Sequence, residues 1–196
     1  LSNTEEPTLI RHPPQSDEWI QIKTKEDLLD WIRRHAVEIY VESTFIDDPE
    51  STNLYVVDID PRIYKDKPEE VRKVVKDVYN SLNNAKKELN IATVKIISTG
   101  SPEGYHVRGY LPEGDKMLVN EARDKLKIII EEIASKYPES ATTTTAGEDR
   151  DKILLDLAPM KSHGQMRAIG GLNYKTLAPV VEVQDIDKFQ IKSIGG

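Results

Sequence analysis

The chain has 196 residues, 31% of them charged, a formal net charge of −7 and no cysteine. That length suits a single domain with a substantial core, and the missing thiols exclude disulfides and thiolate zinc sites within this chain. No apolar run approaches the roughly 18 residues that span a membrane, no secretory signal is visible, and the balance is that expected of a soluble, cytoplasmic protein.

Residues 1–18, with Pro7, Pro13 and Pro14 among polar residues, are expected to form an extended arm ahead of one domain over 19–196. A start at Leu1 rather than Met is expected of a piece of a longer protein. Thr24 and Asp27 resemble a capping box, which predicts a helix through Leu28, Leu29, Trp31 and Ile32. Residues from about Val37 to Ile46 read as a strand, and Asp47 to Thr52 as a loop. Asn53 to Pro61 is a second strand, apolar until it ends in Asp58, Asp60 and Pro61. Pro68, Glu69 and Glu70 suit the start of a helix whose apolar stripe is Val71, Val74, Val75, Val78, Leu82, Ala85 and Leu89.

Val94 to Ser98 and Tyr105 to Leu111 read as strands. Asp115 is expected to cap a second long helix, with Leu118, Val119, Ala122, Leu126, Ile129, Ile130 and Ile133 on one face and Pro138 after its end. Glu139 to Arg150 reads as a loop with an edge strand as the alternative. Ile153 to Leu157 is a short apolar strand holding Asp156, and β-like segments follow near Gln165 to Gly170 and Val180 to Val183. Strands interleaved with two long helices imply a mixed α+β fold, a central sheet layered against helices.

Four segments carry chemistry. Side chains two apart on a strand share a face, so Asp58 and Asp60 are about 7 Å apart at one strand end. They repel unless a cation lies between them, and oxygen-only ligation suits Mg2+ or Mn2+; a solvated strand end is the alternative. The turn from Ser98 and Thr99 to Gly104 and His106 can aim backbone N–H groups and hydroxyls at an anion, or be an ordinary hairpin. Asp156 is a lone acid in an apolar strand and calls for an ion or a basic partner; a solvated strand end is the alternative. From Leu157 to Val181 there is no Asp or Glu, whereas Lys161, His163, Arg167 and Lys175 lie there. Such a segment attracts phosphates or is a basic surface loop, and net charge taken alone argues against nucleic acid.

Together these segments resemble the archaeo-eukaryotic primase superfamily, over about residues 53–183. Its Asp-x-Asp looks like Asp58 and Asp60, and its Ser-Gly-x-x-Gly-x-His turn is similar to Thr99-Gly100 through Gly104 and His106, with one extra residue between the glycines. Its third acid looks like Asp156, and its Arg-Leu-Pro-Gly-Ser-Leu-His-Gly-Lys-Thr signature is matched by Arg167, Gly170, Leu172, Lys175 and Thr176. Ile169 stands for the signature's Pro and Asn173 for its His. Ser101, Pro102 and Glu103 occupy the turn where many relatives have a basic residue. A zinc-binding insertion of the cysteine kind is excluded.

The resemblance implies a primase-like catalytic core with an RRM-like half. It also implies a primase or primase-polymerase: a template-directed nucleotidyltransferase using nucleoside triphosphates and two-metal phosphoryl transfer with Mg2+ or Mn2+, without zinc. In that reading Asp58, Asp60 and Asp156 hold the metals. His106, Arg167 and Lys175 hold the triphosphate, and Ser98, Thr99 and Asn173 contact phosphate or sugar. DNA template and primer are the implied partners, with other replication subunits or further domains of a longer chain beside them and no membrane. A non-catalytic nucleic-acid-binding accessory subunit and a metal-dependent phosphohydrolase or nuclease are the competing readings.

Overall fold

The computed structural model describes residues 8–11, 19–22, 24, 26, 40–45, 47–173 and 175–191. The expected helix through Leu28, Leu29, Trp31 and Ile32 lies outside the described residues, as does most of the expected arm. In chain order the strands are β1 (Thr8–Arg11), β2 (Trp19–Ile22), β3 (Tyr40–Glu42), β4 (Ser51–Thr52) and β5 (Leu54–Asp60). Helix α1 (Pro68–Asn84) precedes β6 (Thr93–Ser98), β7 (Tyr105–Tyr110) and β8 (Met117–Leu118). Helix α2 (Val119–Lys136) is followed by β9 (Ala141–Thr142), β10 (Ile153–Asp156), β11 (Gln165–Arg167) and β12 (Val181–Val183).

The central sheet has the order β12-β6-β7-β5-β10-β9. It is mixed: β9 runs parallel to β10, and the other neighbours are antiparallel. β5 is central because it reads apolar on both faces until its last three residues. Tyr55, Val57 and Ile59 alternate with Val56 and Asp58, and the first four of these five are completely buried. On the Tyr55 face the sheet meets the helices, whose stripes are Val71, Val74, Val75, Val78 and Leu82 in α1 and Val119, Ala122, Leu126, Ile130 and Ile133 in α2. Burying one such side chain contributes about 1.5–3 kcal/mol, so this layer carries most of the stability. Among the described residues no helix is long and apolar enough to cross a membrane.

The opposite face of β5 carries Val56, Asp58 and Asp60. Met160 covers its first part, with Sδ 3.2 Å from the Val56 nitrogen. The small sheet of β3 and β11 is tied to the turn before it: Ser43 donates from Oγ to the carbonyls of Pro159 and Gly164. Gly164 is required there, because a Cβ would lie 1.9 Å from the Pro159 carbonyl oxygen.

Local expectations differ from the structure in places, beginning with Ser51–Thr52, expected as loop and found as strand β4. Asp115 does not cap α2; the cap position is Leu118, which has an extended backbone and no side-chain cap bond. Met117 and Leu118 instead pair with Thr52 and Ser51, and Leu118 is 51% exposed rather than part of the stripe. Tertiary strand pairing has overridden the local capping preference. The segment from Val37 to Ile46 is strand only at Tyr40–Glu42 among its described residues.

Candidate active site

Three polar residues form one row across the sheet. His106 in β7 is the direct register partner of Asp58 in β5, and Asp58 is the register partner of Asp156 in β10. Opposed residues in an antiparallel pair share a face with Cβ atoms about 5 Å apart. Three segments far apart in sequence thus present two carboxylates and an imidazole side by side. Asp60, one pleat further along β5, opposes Leu154 on the same face.

The row is graded in burial. His106 is 3% exposed, whereas the Asp58 side chain is 36% exposed and Asp60 is exposed. His106 Nε2 lies 3.4 Å from Asp58 Oδ1, and Nδ1 lies 2.9 Å from Arg108 Nη2. A guanidinium only donates, so Nδ1 is the acceptor and the ring proton resides on Nε2, facing Asp58. Burial lowers the His106 pKa against the raising effect of Asp58, which keeps the ring neutral.

Arg108 was not among the residues expected from the sequence. It is buried, its pKa lowered by that burial, and its Nη2 also donates to the Arg167 carbonyl at 2.6 Å. The signal was present: His106, Arg108 and Tyr110 are polar at alternate positions of a strand, as expected for a face that leaves the apolar core.

Asp60 and Asp156 begin turns. Asp60 Oδ1 accepts from the Arg62 nitrogen at 3.0 Å, and Asp156 Oδ1 accepts from the Ala158 nitrogen at 2.9 Å. Arg62, at φ 49°, is held there by donating to the carbonyls of Asp149 and Arg150. Arg123 of α2 fixes the turn after Asp156 by donating to the carbonyls of Leu157 (3.0 Å) and Met160 (2.9 Å).

The glycine turn and the signature segment form a second unit. Asn173 donates from Nδ2 to the Thr99 carbonyl at 3.3 Å and to Ser101 Oγ at 2.8 Å, and its Oδ1 accepts from the Lys175 nitrogen at 3.0 Å. Thr176 Oγ1 donates to the Gly100 carbonyl at 2.6 Å. Gly100 has φ 73°, and a Cβ there would lie 2.6 Å from the Ala178 carbonyl oxygen, so only glycine lets the two loops meet. Ser98, Thr99 and Asn173 are all buried within this junction, and Ser98 Oγ accepts from the Gly100 nitrogen. Behind the turn, the Glu103 carboxylate faces α1, where Arg72 meets both its oxygens at 3.1 and 3.3 Å.

Arg167 ends β11 with its guanidinium 5.6 Å from the centre of the Tyr40 ring, and its carbonyl is docked on Arg108. Lys175 is exposed. The structure therefore brings Asp58, Asp156 and His106 together directly and joins Arg167 to them through Arg108. Ser98, Thr99, Asn173 and Lys175 share the adjoining loop pair.

The donor set suits a hard divalent ion: three carboxylates on one face, two of them in register, with access to solvent. Among the described residues no three histidine or acidic side chains converge closely enough to ligate one ion together. Asp58 and Asp156 are the adjoining pair, and Asp60 is turned to its own backbone.

A family model for the LigD primase-polymerase domain matches residues 2–168. No curated protein matches the chain. Among solved structures, the polymerase domain of Mycobacterium tuberculosis ligase D in complex with DNA superposes with a TM-score of 0.70. That alignment covers 98% of this chain and 69% of that one at 15% sequence identity, a likeness of fold.

Proposed function

The chain belongs to the LigD primase-polymerase domain family, and from that membership we propose that it extends nucleic acid by template-directed addition of nucleotides from nucleoside triphosphates. Membership supports a nucleotidyltransferase of polymerase type; the row of His106, Asp58 and Asp156 is the observation that carries the finer reading. A mere binder has no use for carboxylates set side by side in an otherwise apolar sheet, where each costs free energy unless compensated.

In this reading Asp58, Asp60 and Asp156 hold two divalent ions, Mg2+ or Mn2+, which would stabilise the attacking 3′-oxygen and the departing pyrophosphate. His106 orients Asp58, because both its ring nitrogens face protein groups. Arg62 and Arg123 fix the turns that carry Asp60 and Asp156. Lys175 and Arg167 attract the triphosphate from a segment free of acids between Leu157 and Val181. Asn173 and Ser98 shape the loop pair that presents Lys175, and Thr99 lines the same turn.

The experiment is extension of a primed DNA template with labelled ribo- and deoxyribonucleoside triphosphates in Mg2+ and in Mn2+. Growth of the primer in a template-dependent order is the expected result. Cleavage of nucleotide or DNA without incorporation would replace the polymerase reading with a phosphohydrolase or nuclease. Binding of DNA without either reaction would leave an accessory subunit.

A further inference from the structure

Arg108 poses an electrostatic problem. Its side chain is 2% exposed, on the face of β7 that carries His106, and its register partner Val56 places it diagonal to Asp58. A guanidinium stays protonated in a protein, and an isolated buried charge is costly. Nη2 is used twice, on His106 Nδ1 and on the Arg167 carbonyl, while the buried Nε has no hydrogen-bond partner among the described residues. Burial disfavours the charge, the neighbouring Tyr110 hydroxyl offsets part of that cost, and among the described residues Asp58 is the one carboxylate whose charge acts on Arg108. The link between them is the imidazole: Arg108 donates to Nδ1, and the Nε2 proton faces Asp58.

We propose that Arg108 is a resident countercharge for the acid row, a positioning residue that acts through His106 to offset the charge of Asp58 and so loosens the hold of the acids on a divalent ion. The inference rests on the reading of Asp58, Asp60 and Asp156 as metal ligands. A cation arriving at Asp58 meets a fixed positive charge one diagonal step away, and in a partly buried setting that repulsion is only weakly screened. The acids alone then hold the ion poorly, and the phosphates of an incoming nucleotide supply the charge that retains it. Arg108 also lets the row stay folded without metal, since three neighbouring carboxylates with no cation beside them would repel each other.

Mn2+ binding to the full chain, followed by the electron paramagnetic resonance signal of the free ion, tests this without reference to activity. Arg108→Met and Arg108→Gln both remove the charge, and Gln keeps a donor for Nδ1 should Met fold poorly. Each should bind Mn2+ about fivefold or more tightly than the wild type at low ionic strength, and Arg108→Lys should stay near the wild type. A purely structural role would move the result the other way, because displaced His106 and Arg167 would weaken binding. Unchanged or weaker binding in both neutral variants, with wild-type binding that is lost in Asp58→Asn, would overturn the countercharge and leave the metal site standing. Wild-type binding that is absent or indifferent to Asp58→Asn would overturn the metal-ligand reading itself, and this inference with it.

Discussion

His106 and Asp58 face each other across β7 and β5, with Nε2 3.4 Å from Oδ1 and the imidazole buried behind the carboxylate. The sequence resemblance implies a histidine that holds triphosphate; the geometry gives this one a carboxylate on one side and a guanidinium on the other. That geometry supports a positioning role on Asp58 beside the implied triphosphate contact.

His106→Ala tests that assignment. Removing the ring leaves the buried Arg108 bond unmade, at a cost of about 1–3 kcal/mol, and frees Asp58 to turn toward solvent. Single-turnover incorporation should slow by about tenfold or more, with the apparent nucleotide affinity little changed. A loss confined to nucleotide affinity would return His106 to the triphosphate.

Gly100→Ala addresses the junction of the glycine turn and the signature segment. The left-handed backbone and the 2.6 Å approach to the Ala178 carbonyl oxygen both oppose a methyl group. A loss of about 2 kcal/mol is expected, which lowers the thermal midpoint of a chain this size by about 4–8 °C. An unchanged midpoint would mean that the two loops are not docked in solution.

Arg167→Ala and Lys175→Ala should each weaken nucleoside triphosphate binding. A charge-assisted hydrogen bond is worth about 1.5–3 kcal/mol, so equilibrium binding should fall about tenfold or more. DNA binding by the unmodified protein should also drop steeply with salt. Unchanged nucleotide affinity in both variants would make the acid-free segment an ordinary basic surface.

The mixed α+β architecture was legible because the stripes of α1 and α2 and the apolar run of β5 repeat with their own periods. The positions of Asp58 and Asp156 at strand ends were legible for the same reason. Their mutual register was not: it depends on pairing between residues 58 and 156, which no local pattern encodes. Arg108 went unread because a basic residue in a short strand looks like a solvated position until the chain above it, through Arg167, is in place. Asn173 read as a hydrogen-bond donor for a ligand. Its two amide hydrogens and its carbonyl oxygen are in fact engaged with Thr99, Ser101 and Lys175.

Metal removal should separate incorporation from folding. The stability rests on the helix and sheet layer, and weakly held ions add only about 2.7 kcal/mol even at 100 times their dissociation constant. Excess EDTA should stop incorporation completely, Mg2+ or Mn2+ alone should restore it, and circular dichroism should not change. Collapse of the helical signal, or a requirement for zinc, would contradict this.

The most direct test of the account is single-nucleotide incorporation on a primed template by Asp58→Asn and Asp156→Asn, the two acids in register. Each substitution keeps the side-chain shape, and with Arg108 beside the row the thermal midpoint should move by the equivalent of less than about 1 kcal/mol. The account predicts that each variant loses well over tenfold in incorporation, more than about 1.4 kcal/mol of transition-state stabilisation, while remaining folded. A folded variant of either kind that keeps more than about a tenth of wild-type activity would contradict it.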